Sequence, residues 1–446
     1  MWYNVIITRH NTHPERIIAM IHYNTLGNNL KRGILRFAGR ISMGLKKPAR
    51  KFVANMLYGV IASNSSKLTE IGRALKEDIS LKKTVDRLGR NLKDFSETET
   101  VMSHYLEEIR PTLGADTMLL IDGGDATKSC SPKMEAIGSV KDGSTGKFAD
   151  GYWTMGVAAL SEGNRHPLPV YEKLYPCKKQ GGLGFKAETS AALTFIRRNF
   201  ESSIPRLFDR GFDSGETLKD LLNHEEKFIL RVNQNRVCVH KGEMTKINDV
   251  VRGLECQHMM TFHSKTGNTS TCKIGMTQIN LPNVNNTQLF LVVCKGIGEN
   301  PLVLYTNIDE NIETLAARIV KAYLMRWRIE EYYAFKKQGL RFENFRVRSL
   351  RAIQTLDLLL TIAVGYIGTL CADANENMLT VELIAASMPI PKLSVFLQKT
   401  KFLFYAVLIG ITCVLAQLRK GISSHFAPVK QHQFTQLCLP TFEILG

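Results

Sequence analysis

The chain has 446 residues and a mass of 50.2 kDa, enough for a sizeable core and about two to four domains. With 44% hydrophobic and 22% charged residues it is neither a disordered tail nor a fibrous repeat. Its 58 Lys and Arg outnumber 41 Asp and Glu, leaving +17 and a pI near 9.4, so a polyanion is the first partner to expect.

Met1 to Met20 mixes His, Asn, Pro and Arg and shows no apolar run behind a basic one, so no secretory signal is expected. The first 95 residues hold 18 Lys and Arg against 6 Asp and Glu, which concentrates most of the net charge. Within them, Lys67 to Lys93 predicts two short amphipathic helices, with Leu68, Ile71 and Leu75 inward on the first and Val85, Leu88 and Leu92 on the second. Ser80 is the expected N-cap of the second. Lys83, Arg87 and Arg90 then share its other face, as in a helix-turn-helix DNA reader. An ordinary solvated basic face has the same spacing, and the concentration of charge favours DNA.

After the polar stretch Ser96 to Glu99 the pattern becomes α/β. Thr117 to Ile121 predicts a strand ending at Asp122, Gly123, Gly124 and Asp125. Strands over Tyr152 to Leu160 and Leu168 to Leu174 follow, then a helix over Ala187 to Phe200 and a strand over Arg206 to Phe208 that ends at Asp209. A helix over Glu216 to Glu226 and a strand over Lys227 to Val232 complete an α/β order.

From about Asn233 to Asn307, short apolar runs between Asn, Gly and Pro turns predict a β-rich insertion. Glu313 to Gln338 contains no Gly or Pro and predicts one long helix, and the remainder is mainly helical. Leu358 to Ala372 and Phe402 to Ala416 carry no formal charge, but each is about 15 residues long where spanning a membrane takes roughly 20. Core helices are the expectation. Nine scattered cysteines without a C-x-x-C pair suit reduced thiols in a cytosol. Cys256, His258 and His263 lack a fourth ligand at zinc spacing, and neither a G-x-x-x-x-G-K-[ST] loop nor a G-x-S-x-G elbow occurs.

Asp122 and Asp209 each close an apolar strand, where ligands of α/β sheets gather, although Asp before Gly is also ordinary turn chemistry. On the long helix, Tyr323, Arg326, Glu330 and Lys337 stand at offsets of 0, 3, 7 and 14, confined to a stripe roughly 60° wide. A carboxylate flanked by a phenol, a guanidinium and an ammonium suits a metal-bound phosphate. The Arg326 and Glu330 pair alone would also fit an exposed salt-bridged helix.

This Tyr, Arg, Glu, Lys spacing resembles the signature of DDE transposases of bacterial insertion sequences, in the branch called insertion-sequence family four, and the order of elements resembles them along essentially the whole chain. The resemblance implies an RNase H-like core with a β-rich insertion. It divides the chain into a helical basic DNA-binding domain (1–105), the first part of the core (106–232), the insertion (233–307), the catalytic helix (308–350) and a helical C-terminal region (351–446). It implies Asp122, Asp209 and Glu330 as catalytic metal ligands for two Mg²⁺ ions, or Mn²⁺, about 3.5 to 4 Å apart. Arg326 and Lys337 would grip phosphates, Tyr323 would contact the terminal phosphate or its neighbouring nucleotide, and Lys83, Arg87 and Arg90 would bind DNA.

Asp125 competes with Asp122 for the first position, and strand-end placement favours Asp122; Asp213 suits a helix start. The implied activity is metal-dependent cleavage at transposon ends and transfer of the 3′-hydroxyl into target DNA. The protein would act as a homodimer on terminal repeats in the bacterial cytoplasm, associated with the nucleoid and not with a membrane. A nuclease of the same core that does not join strands, and a catalytically inactive DNA-binding relic, are the competing readings.

Overall fold

The structure, a computed structural model, describes residues 5–6, 18–19, 23–128, 131–161, 166–263, 269–309, 312–372, 378–387, 402–422 and 425. Two short strands, β1 (Val5–Ile6) and β2 (Ile18–Ala19), pair antiparallel. Most of the segment read for a secretory signal, and the thiols Cys130 and Cys438, lie outside the described residues.

Five helices form the basic N-terminal region: α1 (Tyr23–Ile41), α2 (Lys47–Ser63), α3 (Leu68–Leu75), α4 (Leu81–Asp94) and α5 (Thr98–Ile109). The Ser80 side chain accepts from the Lys83 amide and so caps α4 as expected. The buried residues of α4 are Thr84, Leu88 and Leu92, with Val85 only half-buried. This turns the helix relative to the expected apolar face. The Thr84 hydroxyl and Arg87 consequently both reach the Glu77 carboxylate, at 2.9 and 2.8 Å.

The central sheet contains twelve strands. They are β3 (Met118–Thr127), β4 (Gly138–Lys141), β5 (Phe148–Leu160), β6 (Leu168–Tyr175), β7 (Arg206–Phe208), β8 (Phe228–Arg231), β9 (Val237–His240), β10 (Glu243–Lys246), β11 (His258–His263), β12 (Thr269–Leu281), β13 (Thr287–Lys295) and β14 (Leu302–Thr306). Helices α6 (Phe185–Asn199), α7 (Gly215–Asn223) and α8 (Ile247–Gly253) lie between them in sequence. The nucleus of the sheet runs β6, β5, β3, β7, β8, with β3, β7 and β8 parallel. β14 then pairs antiparallel with β8, so β13, β12, β9 and β10 continue the same sheet. Short polar β4 and β10 escape a reading that looks for apolar runs.

The C-terminal part contains α9 (Ile312–Met325), α10 (Arg328–Gln338), α11 (Leu350–Ala372), α12 (Met378–Ser387) and α13 (Phe404–Ala416). The single long helix expected from Glu313 to Gln338 is therefore two. At the junction the amides of Arg326, Ile329 and Glu330 bond to carbonyls three residues back, a tightened turn that interrupts the regular ladder. No Gly or Pro marks it, and its position coincides with the tertiary contacts of Arg326. α11 is long and apolar enough to cross a membrane, but it is buried along most of its length and packs on β6, α2 and α4. The seven described cysteines are free thiols.

Candidate active site

β3 and β7 are in parallel register, with Leu119 beside Arg206, Leu120 beside Leu207 and Ile121 beside Phe208. β7 stops at Phe208, so the next residues, Asp122 and Asp209, stand where that ladder opens. β3 itself does not stop. Asp122 pairs with Gly156 of β5, and the strand continues through Gly123, Gly124 and Asp125 to Thr127. The expected strand end and Gly turn at Asp122 are corrected accordingly, because β5 supplies backbone partners on one side after β7 has ended on the other. Asp122 and Asp209 share the wall of an otherwise largely apolar cavity of about 460 Å³ that includes Trp153, Tyr175, Phe185 and Phe212.

The helical stripe meets these acids. Arg326 Nη1 donates to Asp122 Oδ2 at 2.7 Å, and its Nη2 lies 3.6 Å from Glu330 Oε1. The Tyr323 hydroxyl donates to Asp209 Oδ1 at 3.3 Å, and Arg231, absent from the sequence reading, lies 4.0 Å from the same oxygen. Lys337 Nζ donates to Asp125 Oδ2 at 2.6 Å and lies 3.2 Å from Glu343 Oε1. Burial pushes the Asp122 carboxyl above its ordinary value, Arg326 opposes that rise, and Asp209 adds to it.

Asp122 and Asp125 thus have different surroundings. Asp125 is buried, with Lys337 on one oxygen and the Gly143 amide on the other at 3.0 Å, whereas Asp122 shares its cavity with Asp209. Asp213 is drawn to Arg236 at 2.7 Å and accepts from the Asn233 amide. Glu330 stands apart, with its side chain 64% exposed and linked to Asp122 through Arg326. Among the described residues, no three His, Cys, Asp or Glu are gathered as a ready metal site. The donor chemistry fits a divalent cation, because Asp122, Asp209 and Glu330 offer only hard oxygens and a guanidinium already lies between two of them.

Two supports were not legible beforehand. The Tyr333 hydroxyl donates to the Asp122 carbonyl at 2.8 Å, and a Cβ at Gly156 would collide with that phenol, so the missing side chain makes room for the ring. Behind α10, Lys336 Nζ lies 2.9 Å from Glu172 and 2.5 Å from Asp357, and donates to Thr361 at 2.9 Å. The Tyr332 hydroxyl donates to Glu172.

Burial pushes Glu172 up from 4.5 to about 7, with Lys336 opposing the rise. A carboxyl raised in the folded state takes up a proton on folding. Its contribution is complete below about pH 4.5 and is lost as pH rises through about 7. Wild type should therefore lose stability relative to Glu172→Gln between those values, measured as the difference in urea midpoint at pH 5 and pH 8. A difference that does not change with pH would contradict the shift.

In the N-terminal region Lys83 and Arg90 are exposed, whereas Arg87 is committed to Glu77. The structure does not bring these three residues to the acids; they lie on a separate helix that packs on α3 and α11.

Residues 171–365 match the family described as the transposase DDE domain, and the chain carries that domain. Asp209, Tyr323, Arg326, Glu330 and Lys337 fall inside the matched segment, and Asp122 and Asp125 precede it. A cryo-EM structure of piggyBac transposase, a synaptic complex with hairpin DNA, is similar over 92% of this chain and 82% of its own, at 11% identity and a TM-score of 0.43. No curated protein matches the chain.

Proposed function

We propose that the protein is a DNA transposase of the insertion-sequence family four type, which cuts at transposon ends and joins the freed 3′-hydroxyl to target DNA. The observation that carries this reading is the placement of Asp122 and Asp209 side by side where the parallel β3–β7 ladder opens, with Arg326 joining Asp122 to Glu330. The strand order β6, β5, β3, β7, β8 supports an RNase H-like core. Asp122, Asp209 and Glu330 would hold two divalent cations, Mg²⁺ with Mn²⁺ as the substitute, which would supply Lewis-acid activation of the attacking and leaving oxygens.

The chain's own side chains do the rest. Arg326 turns from carboxylate to phosphate when DNA arrives, Lys337 holds a neighbouring phosphate, and Tyr323 contacts the terminal phosphate or its nucleotide. Lys83 and Arg90 offer exposed charge to terminal-repeat DNA, with Arg87 shaping the helix face beside them. The working form is a homodimer on DNA in the bacterial cytoplasm.

Incubating the full chain with Mg²⁺ and a supercoiled target, in parallel with an uncut end and with a precut end bearing a 3′-hydroxyl, tests the reading. Joined product is expected. Cleavage of uncut ends without joining would instead identify a nuclease, and end binding without either reaction an inactive relic.

A further inference from the structure

Next to Lys337 lies a second cavity, of about 750 Å³, that the chemistry above does not use. Its walls come from the start of α3, the end of β3, the turn at residues 131–134 and the segment at 343–348. Lys67, Lys128, Lys133, Arg346 and Arg348 all line it, and Glu343 is its one acid. The Glu343 carboxylate is already occupied: Oε1 accepts from the Thr127 amide and hydroxyl at 2.9 and 3.1 Å and faces Lys337 at 3.2 Å. It therefore offers little to neutralise the other cations.

Of the five cations, Lys128 builds the wall and Lys67 lies 3.6 Å from Glu70 Oε1. Lys128 Nζ donates to the Glu343 and Phe345 carbonyls at 2.7 and 2.8 Å and lies over the Phe345 ring. Burial lowers its pKa, and the nearby charges of Arg346 and Lys67 lower it further while Glu343 opposes them. Ser66 donates to the Arg341 carbonyl at 2.6 Å, which ties the N-terminal helices to the same segment. Lys133, Arg346 and Arg348 are exposed and make no ion pair among the described residues. Like charges converging on one concavity repel one another unless an anion occupies it.

We propose that this groove binds the phosphodiester backbone of DNA beyond the bond being cut, guiding the strand from Lys337 toward the N-terminal helices. The inference rests on the transposase reading and adds a path for the flanking DNA. Recognition is of phosphate, so it is independent of base sequence.

The test measures duplex binding by the full-length protein in EDTA across a salt series, so that no turnover intervenes. One variant is Lys133→Ala with Arg346→Ala and Arg348→Ala. The other, Arg198→Ala with Lys219→Ala and Lys241→Ala, removes equal charge from exposed positions outside the groove. The groove variant should lower the salt slope by roughly 2 to 3, at about 0.9 per phosphate contact, and weaken end-containing and random duplexes alike. The proposal fails if wild type binds DNA but the groove variant keeps its slope, or if both variants lose equally. If wild type binds no duplex at all, the transposase reading fails and the groove proposal with it.

Discussion

Asp122→Asn, Asp209→Asn and Glu330→Gln should each reduce cleavage of transposon-end DNA in Mg²⁺ by at least about 10²- to 10³-fold while leaving end binding within a few-fold of wild type. Each change keeps the size of the side chain and removes one negative charge from the set proposed to hold the cations. Asp122 and Asp209 open into one cavity, so loss of either leaves a single carboxylate there. Glu330 reaches the set through Arg326, so its loss also removes one of the two anions that hold the guanidinium. Asp125→Asn is the discriminating control. Its two carboxylate oxygens accept from Lys337 and the Gly143 amide, and asparagine keeps one acceptor of the two, so one of these bonds can persist. If Asp125→Asn abolished cleavage while Asp122→Asn left it intact, the first acid would be Asp125 and the strand-opening argument would be wrong.

Lys336→Met should destabilise the protein by about 3–5 kcal/mol. The side chain of Lys336 is 2% exposed, and among the described residues its ammonium is the one cation paired with Glu172 and Asp357, themselves almost fully buried. Removing it leaves two carboxyls enclosed without a counter-charge, and they must be desolvated as ions or protonated. A lowered urea midpoint should therefore accompany weaker cleavage, because α10 carries both Lys336 and Glu330. Combining the change with Glu172→Gln and Asp357→Asn removes the stranded charges and should recover much of the midpoint. A loss under about 1 kcal/mol in the single variant would mean that water reaches the cluster.

Local pattern is a good guide where local forces decide. The strand over Arg206 to Phe208, the strand over Val237 to His240 and the Ser80 cap appear where apolar run, turn residues and side-chain oxygen place them. Gly123 and Gly124 show the opposite case. They look like a turn, yet they lie inside β3, with Phe185 and Tyr333 packed where their side chains would be. The break between α9 and α10 is equally invisible, because it accompanies Arg326 reaching a carboxylate more than two hundred residues away in sequence. Adjacent Lys336 and Lys337 look alike in sequence. One rotates into a buried cluster and the other onto Asp125, a difference that only the packing of α10 against its neighbours sets.

The pairing of β14 with β8 has a mechanical consequence. From β12, the hydrogen-bonded path runs through β13, β14 and β8 to β7, the strand immediately before Asp209. The inserted strands are therefore not a flap on a hinge. Their hydrogen bonds make them one lattice with the strand that leads into Asp209, so a displacement of β12 relative to β7 would have to strain the ladders between them.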